Sequence, residues 1–127
     1  MKNLRATPLL AALLLLANPA PASDLIDIDW RPDGSFEREL TVPAGKFAEV
    51  CGKLAANATV AWRFDAAAPL DFNIHFHEGK KVKYPEKRAG VSQASGSLKV
   101  AAPQDYCWMW RNKAAKEARL TLSLRRE

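Results

Sequence analysis

The sequence predicts a single all-β domain, an antiparallel β-sandwich of jelly-roll-like type closed by one disulfide. Three observations carry that expectation. Apolar residues recur with a period of two along most of the chain, and turn signals rich in Gly and Pro separate the runs. No segment has a helical pattern long enough to stand alone in water. Together they give about eight or nine short strands at the spacing of a sandwich.

The strands follow in order. Leu25 to Trp30 sets Ile26, Ile28 and Trp30 on one side and Asp27 and Asp29 on the other, and Arg31-Pro32-Asp33-Gly34 turns the chain. Ser35 to Val42 keeps Phe36, Leu40 and Val42 in register and ends at Pro43-Ala44-Gly45. Phe47 to Leu54 carries Cys51, and Val60 to Phe64 points Val60, Trp62 and Phe64 inward. Leu70 to His77 alternates most cleanly, with Leu70, Phe72, Ile74 and Phe76 opposed to Asp71, Asn73, His75 and His77. Val82 to Tyr84 and Ser97 to Ala101 are short. Tyr106 to Arg111 puts Tyr106, Trp108 and Trp110 on the core side and Cys107, Met109 and Arg111 on the other; Arg119 to Leu124 closes the domain. Ala66-Ala67-Ala68-Pro69 and Lys113 to Ala118 are the two places able to form a helical turn.

The N-terminus reads as an export signal. Lys2 and Arg5 precede an apolar run from Pro8 to Ala17, and Ala20-Pro21-Ala22 offers small residues for cleavage. Residues 1–22 are therefore assigned to a signal peptide and residues 23–127 to the single domain, periplasmic or secreted. The apolar run is too short to cross a bilayer as a helix, so no transmembrane anchor is expected after cleavage. In such an oxidising compartment the two cysteines, Cys51 and Cys107, are expected to be bridged. The formal charge of +5 is partly the leader's and otherwise scattered, and with no recognition motif it gives no reason to expect nucleic acid as a partner.

Two sets of residues are candidates for ligand chemistry. His75 and His77 stand two apart on a strand and share a face, so both imidazoles can reach one ion, with Met109 as a soft third ligand if its strand lies nearby. Copper, above all cuprous copper, suits that set. The competing reading is a pair of solvated imidazoles on the polar side of a half-buried sheet, with Met109 as packing. Trp108 and Trp110 are the second set: they fill the core, or one of them lines a groove for a hydrophobic or peptide ligand.

From Cys51 onward the order of features resembles the GOLD domain, the β-sandwich of the p24 (emp24/gp25L) cargo receptors and of some Sec14-like lipid-transfer proteins. The matching residues are Asp71-Phe72-Asn73-Ile74, then Gly79 with Val82 and Tyr84, Gly96 with Leu98, and the block Tyr106-x-Trp108-x-Trp110-Arg111-Asn112, with Leu120, Leu122 and Leu124 where the last strand would run. Three departures stand against these matches. Gln104 replaces a usual glycine, and the second cysteine falls at Cys107 where p24 proteins carry theirs at the position of Met109. The coiled coil and membrane anchor of p24 proteins have no counterpart in this sequence, so a vesicle-traffic role does not carry over. The resemblance implies a sandwich that binds something.

No serine sits in a nucleophile motif, the cysteines form no close redox pair, and an enzyme is not expected. The functional expectation is an exported, non-enzymatic binding or interaction module for an unidentified protein or small-molecule partner. Two alternatives stand beside it. One is a periplasmic copper-binding protein using His75, His77 and Met109. The other is a small exported inhibitor of a hydrolase, a class that shares size, compartment and a bridged β-fold.

Overall fold

The computed structural model describes residues 24–127, and the leader assigned to residues 1–22 lies outside them. Among the described residues there are seven strands and no helix: β1 (Asp24–Asp27), β2 (Ser35–Val42), β3 (Phe47–Leu54), β4 (Thr59–Glu78), β5 (Lys81–Lys99), β6 (Gln104–Arg111) and β7 (Ala118–Arg126). They are hydrogen-bonded in the order β1-β3-β6-β4-β7-β2, and β5 runs along the other edge of β4.

That path curls into two layers because β4 belongs to both. Its first half, Val60 to Ala66, pairs with β7, and its second half, Asp71 to His75, pairs with β6. Between them lies Ala66-Ala67-Ala68-Pro69, where the ladder to β5 slips register between Asp65 and Leu70. Such irregularities bend a strand and increase its twist. Pro69, which has no N–H to give to a ladder, sits in the interrupted stretch. One layer therefore holds β1, β3, β6 and the far halves of the β4–β5 hairpin; the other holds β2, β7 and the near halves.

The core fills the space between. Trp62 and Phe64 from one layer meet Phe72 at ring-centroid distances of 5.0 and 4.8 Å, and Phe64 meets Trp110 of β6 edge-on at 5.6 Å. Leu40, Val50, Leu54, Ile74, Leu120, Leu122 and Leu124 complete it, each at most 4% exposed. Alternation in the sequence produced this arrangement, since every inward position named above for β2, β6 and β7 is buried.

Three expectations are corrected in detail. The sheet is mixed, because β1 pairs parallel with β3; the chain crosses to the other layer through β2 before returning, which leaves the two strands pointing the same way. The segments Val60 to Phe64 and Leu70 to His77 are one continuous strand, and no helical turn forms at Ala66–Pro69 or at Lys113–Ala118. Val82 to Tyr84 and Ser97 to Lys99 are parts of one strand, β5, which also takes in the stretch around Ser92 and Ser95, while Val100 and Ala101 lie just beyond it. Much of β5 is an exposed edge, so no period of two marks it, and Pro85 and Gly90 lie where an edge strand tolerates them.

Asn112 locks the end of β6. Its side-chain NH2 donates to the carbonyls of Val42 at 3.1 Å and Lys116 at 2.7 Å, its Oδ1 accepts from the Ala114 N–H at 2.9 Å, and the residue is 1% exposed. Truncation would strand the buried Val42 carbonyl and remove the partner of the half-buried Lys116 carbonyl, so Asn112→Ala is expected to cost about 2 kcal/mol, read as a lower urea midpoint with an unchanged m-value.

Candidate functional site

The outward face of the layer holding β1, β3 and β6 collects the residues with chemistry. Registers arrange them as rows across the strands. Leu25, Glu49, Met109, Asn73 and Lys87 form one row; Asp27, Cys51, Cys107 and His75 form the next. Lys53 with Asp105, and His77 with Val82, continue the pattern toward the β4–β5 turn. Tyr84 joins this face, its ring 6.0 Å from His75 and capped by the Lys87 ammonium at 4.9 Å. An open groove of about 520 Å³ lies along it, lined among others by Leu25, Asp27, Glu49, Lys53, His77 and Asp105.

Cys51 and Cys107 are directly opposed on β3 and β6, with a Cα separation of 4.1 Å, and are joined by a disulfide that floors the groove. This is the predicted bridge. Among the described residues, the one set of three carboxylate, thiol or imidazole ligand atoms drawn within 4.8 Å of one another is Glu49, Cys51 and Cys107. Its sulfurs are already bonded to each other, so no thiolate is available to a metal.

His75 and His77 do come together, with ring centroids 5.4 Å apart and planes nearly perpendicular. Met109 is set differently: it faces Asn73, on the far side of His75 from His77. A third ligand from Met109 would have to reach past one imidazole to join the other. His75 Nδ1 lies 2.7 Å from Asn73 Oδ1, a contact that places the proton on Nδ1 and leaves Nε2 bare when the ring is neutral.

His75 is only 6% exposed, and burial pushes its pKa below the ordinary histidine value, with the Glu49 carboxylate pulling back and His77 adding to the depression. The unfolded chain therefore binds the proton more readily than the native one. Stability from this residue is complete above the unfolded value near 6.5, and is lost as pH falls from there through the depressed native value. Urea midpoints should therefore fall as the pH drops below about 6.5, and His75→Gln should flatten that part of the profile.

Trp108 and Trp110 take the other side of β6. Both are fully buried, in place of the groove lining that an accessible tryptophan would supply, because their positions point between the layers. Their indole N–H groups have no hydrogen-bond partner. Sequence reasoning left out Glu49, Leu25 and the role of Tyr84. Two signals were present: Glu49 stands two residues before Cys51, so it shares that face, and Tyr84 stands two after Val82.

No family model matches this sequence, and no curated protein matches it. Solved structures do resemble it. PliG from Aeromonas hydrophila, a periplasmic inhibitor of g-type lysozyme, superposes with a TM-score of 0.65 at 13% identity over 83% of this chain and 100% of that one. The likeness is one of fold. A mutant of PliG from Escherichia coli gives 0.57 at 12% identity, over 84% of this chain and 100% of its own. The pre-peptidase C-terminal domain of a Bacillus anthracis collagenase gives 0.59 at 12% identity, over 85% and 99%. Two of these neighbours are periplasmic lysozyme inhibitors and the third is a pre-peptidase C-terminal domain, and their names do not include the GOLD domain.

Proposed function

We propose that this chain is an exported inhibitor of a glycan-cleaving hydrolase of the lysozyme kind. The observation that carries the reading is the superposition on PliG, which accounts for all of that inhibitor and most of this chain. Of the alternatives drawn from the sequence, it favours the hydrolase inhibitor. The compartment agrees, since a disulfide between Cys51 and Cys107 belongs to an oxidising space, where the leader also points.

The β4–β5 hairpin suits such a partner. Its tip presents Lys80, Lys81 and Lys83, all exposed, and none of them makes an ion pair among the described residues. Glycosidases hold two carboxyl groups in an open cleft around the bond they cut. Three exposed lysines against the one acid Glu78 at this tip complement that charge, and the attraction weakens with salt.

Mixing the mature protein with a g-type lysozyme and passing it through a sizing column should give a complex at low ionic strength. Reversing the tip charges with Lys80→Glu, Lys81→Glu and Lys83→Glu should weaken it by roughly tenfold or more. Co-elution that ignores these changes would place the contact elsewhere.

A further inference from the structure

We infer that His75 and His77 form a divalent transition-metal site on the outward face of the disulfide layer, one that takes copper(II) in preference to zinc. The inference does not rest on the inhibitor reading, which comes from the fold and the lysine tip. The two imidazoles belong to the chain's only histidines, and β4 projects both to the same side, two residues apart. Their spacing fits one ion. A ring nitrogen bound at about 2.1 Å puts the ion about 3.2 Å from the ring centre, so two rings on a tetrahedral ion stand about 5 Å apart. The observed separation is 5.4 Å, with the ring planes crossed at 82°.

The surroundings prepare one ring for the task. Asn73 is buried, and its Oδ1 accepts from His75 Nδ1 at 2.7 Å, which fixes the ring and leaves Nε2 as the donor atom. An oxygen acceptor on the far nitrogen is the usual support of a metal-bound histidine. Among the described residues, the buried side-chain nitrogens and oxygens left without a partner are the indole nitrogens of Trp108 and Trp110; His75 Nε2, also unbonded, is therefore open to solvent. His77 is exposed and lines the groove beside Asp105 and Cys107. Charge around the pair is close to balance: Asp27, Glu49 and Asp105 stand with Lys53 and Lys87 on this face, and Arg111 lies four residues along β6 from Cys107. The field neither draws in nor repels a cation, so affinity comes from the imidazoles. Two nitrogen donors, with water in the remaining positions, follow the order of affinity that puts copper(II) above nickel and zinc. Met109 is no part of the set, since it faces Asn73 beyond His75, and without its thioether the preference for cuprous copper goes as well.

Titrating the chelator-treated mature protein with copper(II) and, separately, with zinc(II) up to millimolar concentration, in a buffer that does not bind metal, tests this. Calorimetry reads the copper arm, and nuclear magnetic resonance of the imidazole ring protons reads the zinc arm. One copper ion per chain at micromolar affinity is expected, with zinc weaker and both imidazole signals shifting together as zinc is added. His77→Ala alters an exposed side chain, so it should raise the copper Kd by roughly tenfold or more at an unchanged melting temperature. Met109→Leu should leave the copper Kd where it is. His75→Gln with His77→Gln gives the background from the amino terminus and the carboxylates. Copper bound as tightly by His77→Ala as by the wild type, imidazole signals that stay in place under zinc, separate ions on the two rings, zinc held more tightly than copper, or a loss on Met109→Leu would each overturn the inference.

Discussion

Replacing both cysteines, as Cys51→Ala with Cys107→Ala, is expected to lower the unfolding free energy by about 4 kcal/mol. The bridge closes a loop whose ends are 56 residues apart in sequence, and losing it returns that freedom to the unfolded chain. The native register should survive, because β3 and β6 remain aligned by Val50 opposite Trp108 and Ala48 opposite Trp110, all buried. The variant should therefore fold with the same near-ultraviolet spectrum while melting roughly 20 °C lower. Wild-type protein unfolded with and without a thiol reductant supplies the same comparison without mutation. Equal midpoints would show that the bridge contributes nothing to stability.

Trp110→Ala should be comparably severe, at about 4 kcal/mol. The ring is fully buried and lies 5.6 Å from both Phe64 and Phe72, where the two layers meet, so its removal opens a cavity that strands on either side cannot easily close. Trp110→Phe is the informative partner. It keeps an aromatic in the cluster and removes an indole N–H that has no hydrogen-bond partner, so its cost should stay near 1 kcal/mol. Denaturant midpoints of the two variants separate packing from polarity; equal losses would mean that the N–H is satisfied after all.

The parts of the fold legible in the sequence are those where one face is buried and the other wet. β2, β6 and β7 read correctly because each carries alternate core residues, from Phe36 to Val42, Tyr106 to Trp110 and Leu120 to Leu124. The long hairpin was legible only in pieces. Ala66 to Pro69 look like a break, yet they are the bend that lets one strand serve two layers, and that role is set by the partners β6 and β7. β5 around Pro85 to Ser92 is bare on its outer edge and weakly patterned, so only its pairing with β4 reveals it.

For the site, period two placed Cys107, Met109, His75 and His77 on outward faces, and the pairing of the cysteines followed from compartment and number. Register was beyond reach. Whether Met109 falls opposite His77 or opposite Asn73 depends on how β4 and β6 slide past each other, and a slide of four residues separates the two cases. The same holds for Leu25, whose place on the face comes from a parallel pairing that alternation cannot signal. The lysines were visible as residues, but their gathering at one turn is a property of a hairpin whose two arms were read apart.

The inhibitor reading stands or falls on one titration. Lysis of a cell-wall suspension by a g-type lysozyme should slow in proportion to added mature protein and stop near equimolar ratio, with relief as salt rises or when the Lys80, Lys81 and Lys83 charges are reversed. Undiminished lysis at a large excess of folded, disulfide-bonded protein would contradict it.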